Sequence, residues 1–167
     1  MEIVPAVRST RFEQLEAGDL FIYMDGQQTF YALKTQQPAT GDRSTMVLLG
    51  PSFIQDFSES FLVPWQPVTV LSFGKSFSIL PSMDPGTWLP TGPSRTPVCL
   101  AVADDNVYVC TNGGPSPQRY FPCFVDAKTG AIVEGRLPGP AAFTNSWEIA
   151  VLTANHPPRS ILKYPLP

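Results

Sequence analysis

Prolines punctuate this chain from one end to the other: there are 19 among 167 residues, about twice the usual share of roughly 5%, and no single tail collects them. Each interior proline removes an amide donor and clashes with the preceding helical turn. Long helices are therefore excluded almost everywhere. What remains is a series of short apolar strings bounded by Gly, Pro, Asn and Asp, the pattern of an all-β sandwich or barrel. The reading predicts strands over 19–25, 29–35, 45–49, 67–73, 76–80, 97–103, 106–111, 119–126, 131–135 and 146–152. Helical signals are confined to two short stretches, where Thr10 with Glu13 and Ser52 with Gln55 have capping-box spacing.

Turn chemistry sharpens this pattern. Asp25-Gly26 suits a type I′ hairpin, in which both central residues need positive φ. In "VDAKTGAIV", Asp126 and Gly130 bracket a type I turn followed by a left-handed glycine and a bulge. A turn at Asp104-Asp105 would set Cys99 directly opposite Cys110. It would also place Val98, Leu100, Val102, Val107 and Val109 on one face and Cys99, Ala101, Ala103, Tyr108 and Cys110 on the other. Both faces are apolar, so this hairpin is expected to be covered on both sides, where two units or two chains meet.

The order of elements reads twice. A hairpin (20–35), the strand "STMVLL", an aromatic excursion and "WQPVTVL" from Trp65 are matched by a hairpin (98–111), "RYFPCFV", an excursion and "WEIAVL" from Trp147. Tyr31 to Tyr108 is 77 positions and Trp65 to Trp147 is 82, a drift that surface-loop insertions absorb at little cost. The expected organisation is a first β unit over 1–80, a stiff Pro-rich connector over 81–97 and a second β unit over 98–167, with the two free to pack as one compact domain. Trp88, inside the connector, is expected to pack across the junction. The segment "FEQLEAGDLFIY", a one-turn approach, Gly-Asp and then a strand, resembles the start of many small SH3-like barrels of bacterial proteins. That resemblance implies tandem SH3-like barrels in preference to half-sandwiches, and it carries no functional residues.

Composition bounds the partners. Hydrophobic residues make up 43% and charged residues 15%, against a usual charged share of about 25%, so the chain is expected to fold. The net charge is −3, and neither half has the basic excess of a nucleic-acid binder. No window approaches the roughly 20 apolar residues of a membrane span. The start has no basic segment followed by an apolar one, and the expected compartment is the cytoplasm.

Chemistry-bearing motifs are few. Cys99, Cys110 and Cys123 lack C-x-x-C spacing, which indicates neither a zinc site nor a disulfide framework and reads as buried, reduced thiols. The single histidine, His156 in "TANHPPRS", reads as an exposed loop residue, and Asp104/Asp105 as turn residues. No cofactor or metal site is indicated. Phe53, Phe57 and Phe61 recur every four residues, with Trp65 next, and together with Trp88 form the candidate binding surface. The expected function is a non-catalytic binding or assembly module presenting these aromatics to a protein partner or another subunit. The alternatives are a hydrolase-like enzyme using a cysteine or the Asp104/Asp105 pair with His156, and a nucleic-acid-binding SH3-like barrel, which the acidity disfavours.

Overall fold

A left-handed two-residue turn at Asp104-Asp105 joins one strand pair, its twist matching that of the strands. The structure, a computed structural model, describes residues 7–26, 28–37, 45–50, 61–62, 64, 67–89, 99–111, 123–153 and 156–164. In chain order the strands are β1 (Arg8–Arg11), β2 (Leu20–Asp25), β3 (Gln28–Lys34), β4 (Met46–Gly50), β5 (Phe61–Leu62), β6 (Thr69–Gly74), β7 (Phe77–Pro81) and β8 (Trp88–Leu89). They continue with β9 (Cys99–Ala103), β10 (Asn106–Thr111), β11 (Cys123–Asp126), β12 (Ile132–Glu134), β13 (Ala142–Thr144), β14 (Trp147–Thr153) and β15 (His156–Tyr164). Among the described residues the only helical segments are two 3-10 turns, Phe12–Gln14 and Pro85–Thr87. No helix among these residues is long and apolar enough to cross a membrane.

The fold is all-β, and its sheets are antiparallel. The first sheet runs β1-β6-β2-β3-β4-β5, and the second, read in the same sense, β8-β13-β9-β10-β11-β12. A third sheet, β15-β14-β7, takes one strand from the first half of the chain and two from the second, and sets Ile79 opposite Ile149. Neither six-stranded sheet closes into the barrel expected from the sequence. The end strands β5 and β8 are only two residues long, and no ladder among the described residues joins the two edges of either sheet.

Several expectations are adjusted by the register. The first hairpin pairs Asp25 with Gln28, so its turn begins at Gly26 (φ 57°), one residue later than the Asp25-Gly26 reading. The cap of the first 3-10 turn uses Gln14 where Glu13 was expected: Thr10 Oγ1 and Arg11 N donate to Gln14 Oε1 at 3.1 and 3.3 Å. The second capping signal, Ser52 with Gln55, lies outside the described residues. The strand after Trp65 is β6 of the first sheet, whereas Trp147 opens β14 of the third. Strand order therefore matches β6 to β13 and β7 to β14, and the two tryptophan-led strands hold different places. His156, expected in a loop, instead opens β15, which runs through Pro157 and Pro158. The strand lies at a sheet edge, and the two prolines fall in an irregularity of its ladder between the Val151–Arg159 and Thr153–His156 pairs, the setting in which a missing amide donor is tolerated.

Packing joins the halves. One continuous core contains Phe12 from the first 3-10 turn, Phe21, Leu33 and Met46 from the first sheet, Leu100, Val109 and Val125 from the second, and Ile79 and Ile149 from the third. Full burial of each such side chain stabilises by about 1.5–3 kcal/mol. The second hairpin has the two faces expected of it. Leu100, Val107 and Val109 join this core, while Cys99, Ala101, Ala103, Tyr108 and Cys110 form a second cluster with Phe124. Val133, Leu137, Ala141 and Phe143 cover that second cluster.

The Asp126–Gly130 turn makes a close contact between the halves. Asp126 Oδ1 accepts from Lys128 N and Thr129 N at 2.8 Å each, and Gly130 N donates to Asp126 O at 2.8 Å. The turn then lies on the first half. Gln36 N donates to Gly130 O at 2.7 Å, beside a bond within the first half from Gly18 N to Lys34 O at 2.8 Å. A Cβ on Gly130 would strike the Lys34 carbonyl oxygen, and one on Gly18 the Lys128 carbonyl oxygen. Both positions have positive φ, 69° and 86°, and only glycine meets both demands without strain.

Candidate functional site

Where the halves meet, a groove of about 450 Å³ opens. One wall is β7, contributing Phe77, Ser78, Ile79 and Leu80. The other is built from Asp105, Asn106 and Val107 at the β9–β10 tip and from Ala127 and Lys128 of the Asp126–Gly130 turn. Gly18 and Lys75 complete the lining.

Local chemistry fixes each wall. Gly74 (φ 60°) turns the chain from β6 into β7, with Gly74 N donating to Ser72 Oγ at 3.0 Å. At the hairpin tip Asp104 and Asp105 both have positive φ, 46° and 63°, as a type I′ turn requires. Asn106 Nδ2 donates to Asp104 O at 3.1 Å. Asp104 and Asp105 thus act as the turn pair. On the rim, Lys75 Nζ meets Glu16 Oε2 at 3.0 Å. This bond holds the Glu16 carboxyl below its ordinary range and raises the Lys75 ammonium. Lys128 has no carboxylate partner among the described residues.

A second concavity, of about 490 Å³, lies over the smaller cluster and is lined by Phe124, Arg136, Leu137, Ala141 and Phe143 with two glycines. Cys99 and Cys110 belong to that cluster, Cys123 lies on the other face of the sheet beside Val125, and all three thiols are buried and unbridged. Cys99 and Cys110 face each other across the β9–β10 ladder, as the sequence register requires. Their mutual hydrogen bond, together with burial, pushes the Cys110 thiol far up. Burial likewise raises Cys123 to about 11. The Cys99–Cys110 hydrogen bond lowers Cys99, which is withheld from solvent by complete burial, whereas raised thiols such as Cys110 and Cys123 are poor nucleophiles near neutral pH. His156 is exposed and pairs opposite Thr153 at the edge of the third sheet, whereas all three cysteines belong to strands of the second. Among the described residues no group of three or more His, Cys, Asp or Glu could hold a metal ion.

The most perturbed cation among the described residues is Lys34, only 5% exposed. Its Nζ sits 3.5 Å above the Phe12 ring centroid and 3.5 Å from Phe12 O. Burial pulls its pKa down to about 8, against an upward pull from Glu13. It lies beneath the first 3-10 turn and is not part of the groove lining.

Of the aromatic candidates, Phe53, Phe57 and Trp65 fall outside the described residues. Phe61 lies in β5, opposite Val47. Trp88 is half-buried in β8, opposite Thr144, and its Nε1 donates to Ser82 O at 3.1 Å. The groove itself was not anticipated. The available signals were Pro81 in an apolar strand and the glycines at 18 and 130, whose closeness appears only in the tertiary fold. Compared with protein families, curated proteins and solved structures, the chain finds no match in any of the three.

Proposed function

We propose that the chain is a non-catalytic binding module that receives a protein partner in the groove between its halves. The observation that carries this reading is the composition of the groove's walls: β7 from the first half faces the β9–β10 tip and the Asp126–Gly130 turn from the second. A site assembled this way exists only while both halves stay docked, which the shared core favours. In the same reading the parallel between the two strand orders reflects duplication of a small SH3-like unit, with a four-strand meander and a fifth strand returning beside the first. The burial of all three thiols and the placement of His156 in another sheet weigh against a Cys-His enzyme.

Two exposed leucines on the third sheet provide a matched test. Leu80 (43% exposed) lines the groove, and Leu152 (42% exposed) does not. A photo-crosslinking residue at position 80, in protein expressed in its native cell, is expected to give a discrete adduct with another polypeptide, while position 152 gives none. Adducts of equal yield from both positions, or from neither, would refute the reading.

A further inference from the structure

The groove runs along one edge of a strand, and that edge has no ladder among the described residues. Four consecutive residues, Phe77 to Leu80, line it, whereas a cavity against one face of a strand would be lined by alternate residues. In the order β15-β14-β7, β7 is paired on one side only.

Hydrogen bonds at its ends reveal which backbone groups face outward. Leu152 N donates to Ser76 O at 2.9 Å and Ser82 N to Ser146 O at 2.8 Å. Between them Ser78 lies opposite Ala150 and Leu80 opposite Glu148. Bonded and non-bonded pairs alternate in an antiparallel ladder, so positions 76, 78, 80 and 82 turn their amides and carbonyls toward β14. Phe77, Ile79 and Pro81 then turn theirs toward the groove. Pro81, with no N–H to offer, occupies a position where none is needed by the ladder. Ile79 is only 7% exposed, yet its outward N–H and C=O have no partner among the described residues.

We propose that the open edge of β7 captures an extended segment of a partner protein, which adds to the third sheet as its fourth strand. This rests on the binding-module reading and specifies its ligand. Paired donors and acceptors repeating every second residue are matched in spacing by another extended backbone. The exposed length, Phe77 to Pro81, takes about five partner residues at roughly 3.4 Å each. The opposing walls, Asp105 to Val107 and Ala127 to Lys128, argue for a single extended chain over the continuous sheet of a second copy. Val107 and Ala127 offer apolar surface to alternate side chains of the incoming strand. Lys75 is engaged by Glu16, which leaves Lys128 to receive an acidic side chain, with Asp105 the one carboxylate among the described lining residues.

The test uses a fluorescein-labelled heptapeptide alternating valine with threonine and carrying one glutamate, together with two versions N-methylated at alternate amides in opposite registers. Binding of the unmodified peptide is expected below about 1 mM. One methylated register is expected to lose roughly tenfold in affinity or more while the other binds like the parent, because only alternate amides face β7. Saturation is expected to slow amide exchange at Phe77 and Ile79 by about tenfold or more and leave Ser78 and Leu80 unchanged. Lys128→Glu is expected to weaken this peptide and to favour one with lysine in place of glutamate. No binding at about 1 mM, equal binding of both methylated versions, or unchanged exchange at Phe77 and Ile79 would each overturn the proposal. Concentration-dependent protection of those amides without peptide would also overturn it, by showing that β7 pairs with a second copy. If position 80 nonetheless crosslinks to a partner, the binding-module reading survives and only strand addition fails.

Discussion

Replacing Gly130 with alanine places a methyl group against the carbonyl oxygen of Lys34 and within 2.7 Å of Gly18 N. Both obstacles are backbone, and neither can rotate aside as a side chain would. The substitution meets two costs. An alanine at φ 69° is disfavoured by about 1–2 kcal/mol. The methyl also presses on both atoms of the bond from Gly18 N to Lys34 O, and shifting the turn strains that from Gln36 N to Gly130 O, each contributing about 1 kcal/mol net. Gly130→Ala is therefore expected to destabilise by roughly 3–4 kcal/mol. Gly74→Ala is the matched control: its φ is 60° and nothing lies within 4 Å of where its Cβ would stand, so only the conformational cost of about 1–2 kcal/mol applies. With a urea slope of about 2 kcal/mol/M, the two variants should differ in midpoint by roughly 1 M. The assay is equilibrium urea unfolding followed by tryptophan fluorescence, with the slope checked for constancy. Midpoints agreeing within about 0.3 M would refute the close approach of the turn to the first half.

Two further outcomes follow from buried groups. Lys34 titrates at about 8 in the folded chain, against 10.5 for an exposed lysine, so the unfolded chain binds more protons between these values and stability rises as pH climbs through that window. The rise is expected to approach roughly 3 kcal/mol and to be absent in Lys34→Met, measured by urea midpoints at pH 7.5 and 10.5; a parallel pH response in both proteins would contradict it. The three thiols are expected to react with a disulfide reagent at pH 8 at least about a hundredfold more slowly in the native chain than in urea, and one cysteine labelling at the unfolded rate would show that its burial is wrong.

Local signals were legible wherever the chemistry is local. The all-β class follows from the scattered prolines, and the turn at Asp104-Asp105 set the register that places Cys99 opposite Cys110 and divides the hairpin's two faces between two clusters. The Asp126–Gly130 turn was equally readable, since its hydrogen bonds lie within five residues. What the turn touches was not readable, because Gly18 and Gly130 are far apart in sequence. The same limit hid the pairing of β7 with β14 and led the tryptophans to be matched to each other, where strand order aligns β7 with β14. His156, beside two prolines, reads as a loop residue, but β15 is an edge strand whose ladder is irregular where the prolines stand. The candidate groove inherits these difficulties, being formed by contacts between halves and by an edge strand whose unpaired side no local pattern marks.

The central claim is that both halves share one core and hold the groove between them. Urea unfolding followed by methyl resonances of Leu20 in the first sheet, Val125 in the second and Ile149 in the third tests it most directly. All three belong to the same buried cluster, and the expected result is one transition with a common midpoint. Separate midpoints for Leu20 and Val125 would show that the halves unfold independently, and the junction groove would lose its structural basis.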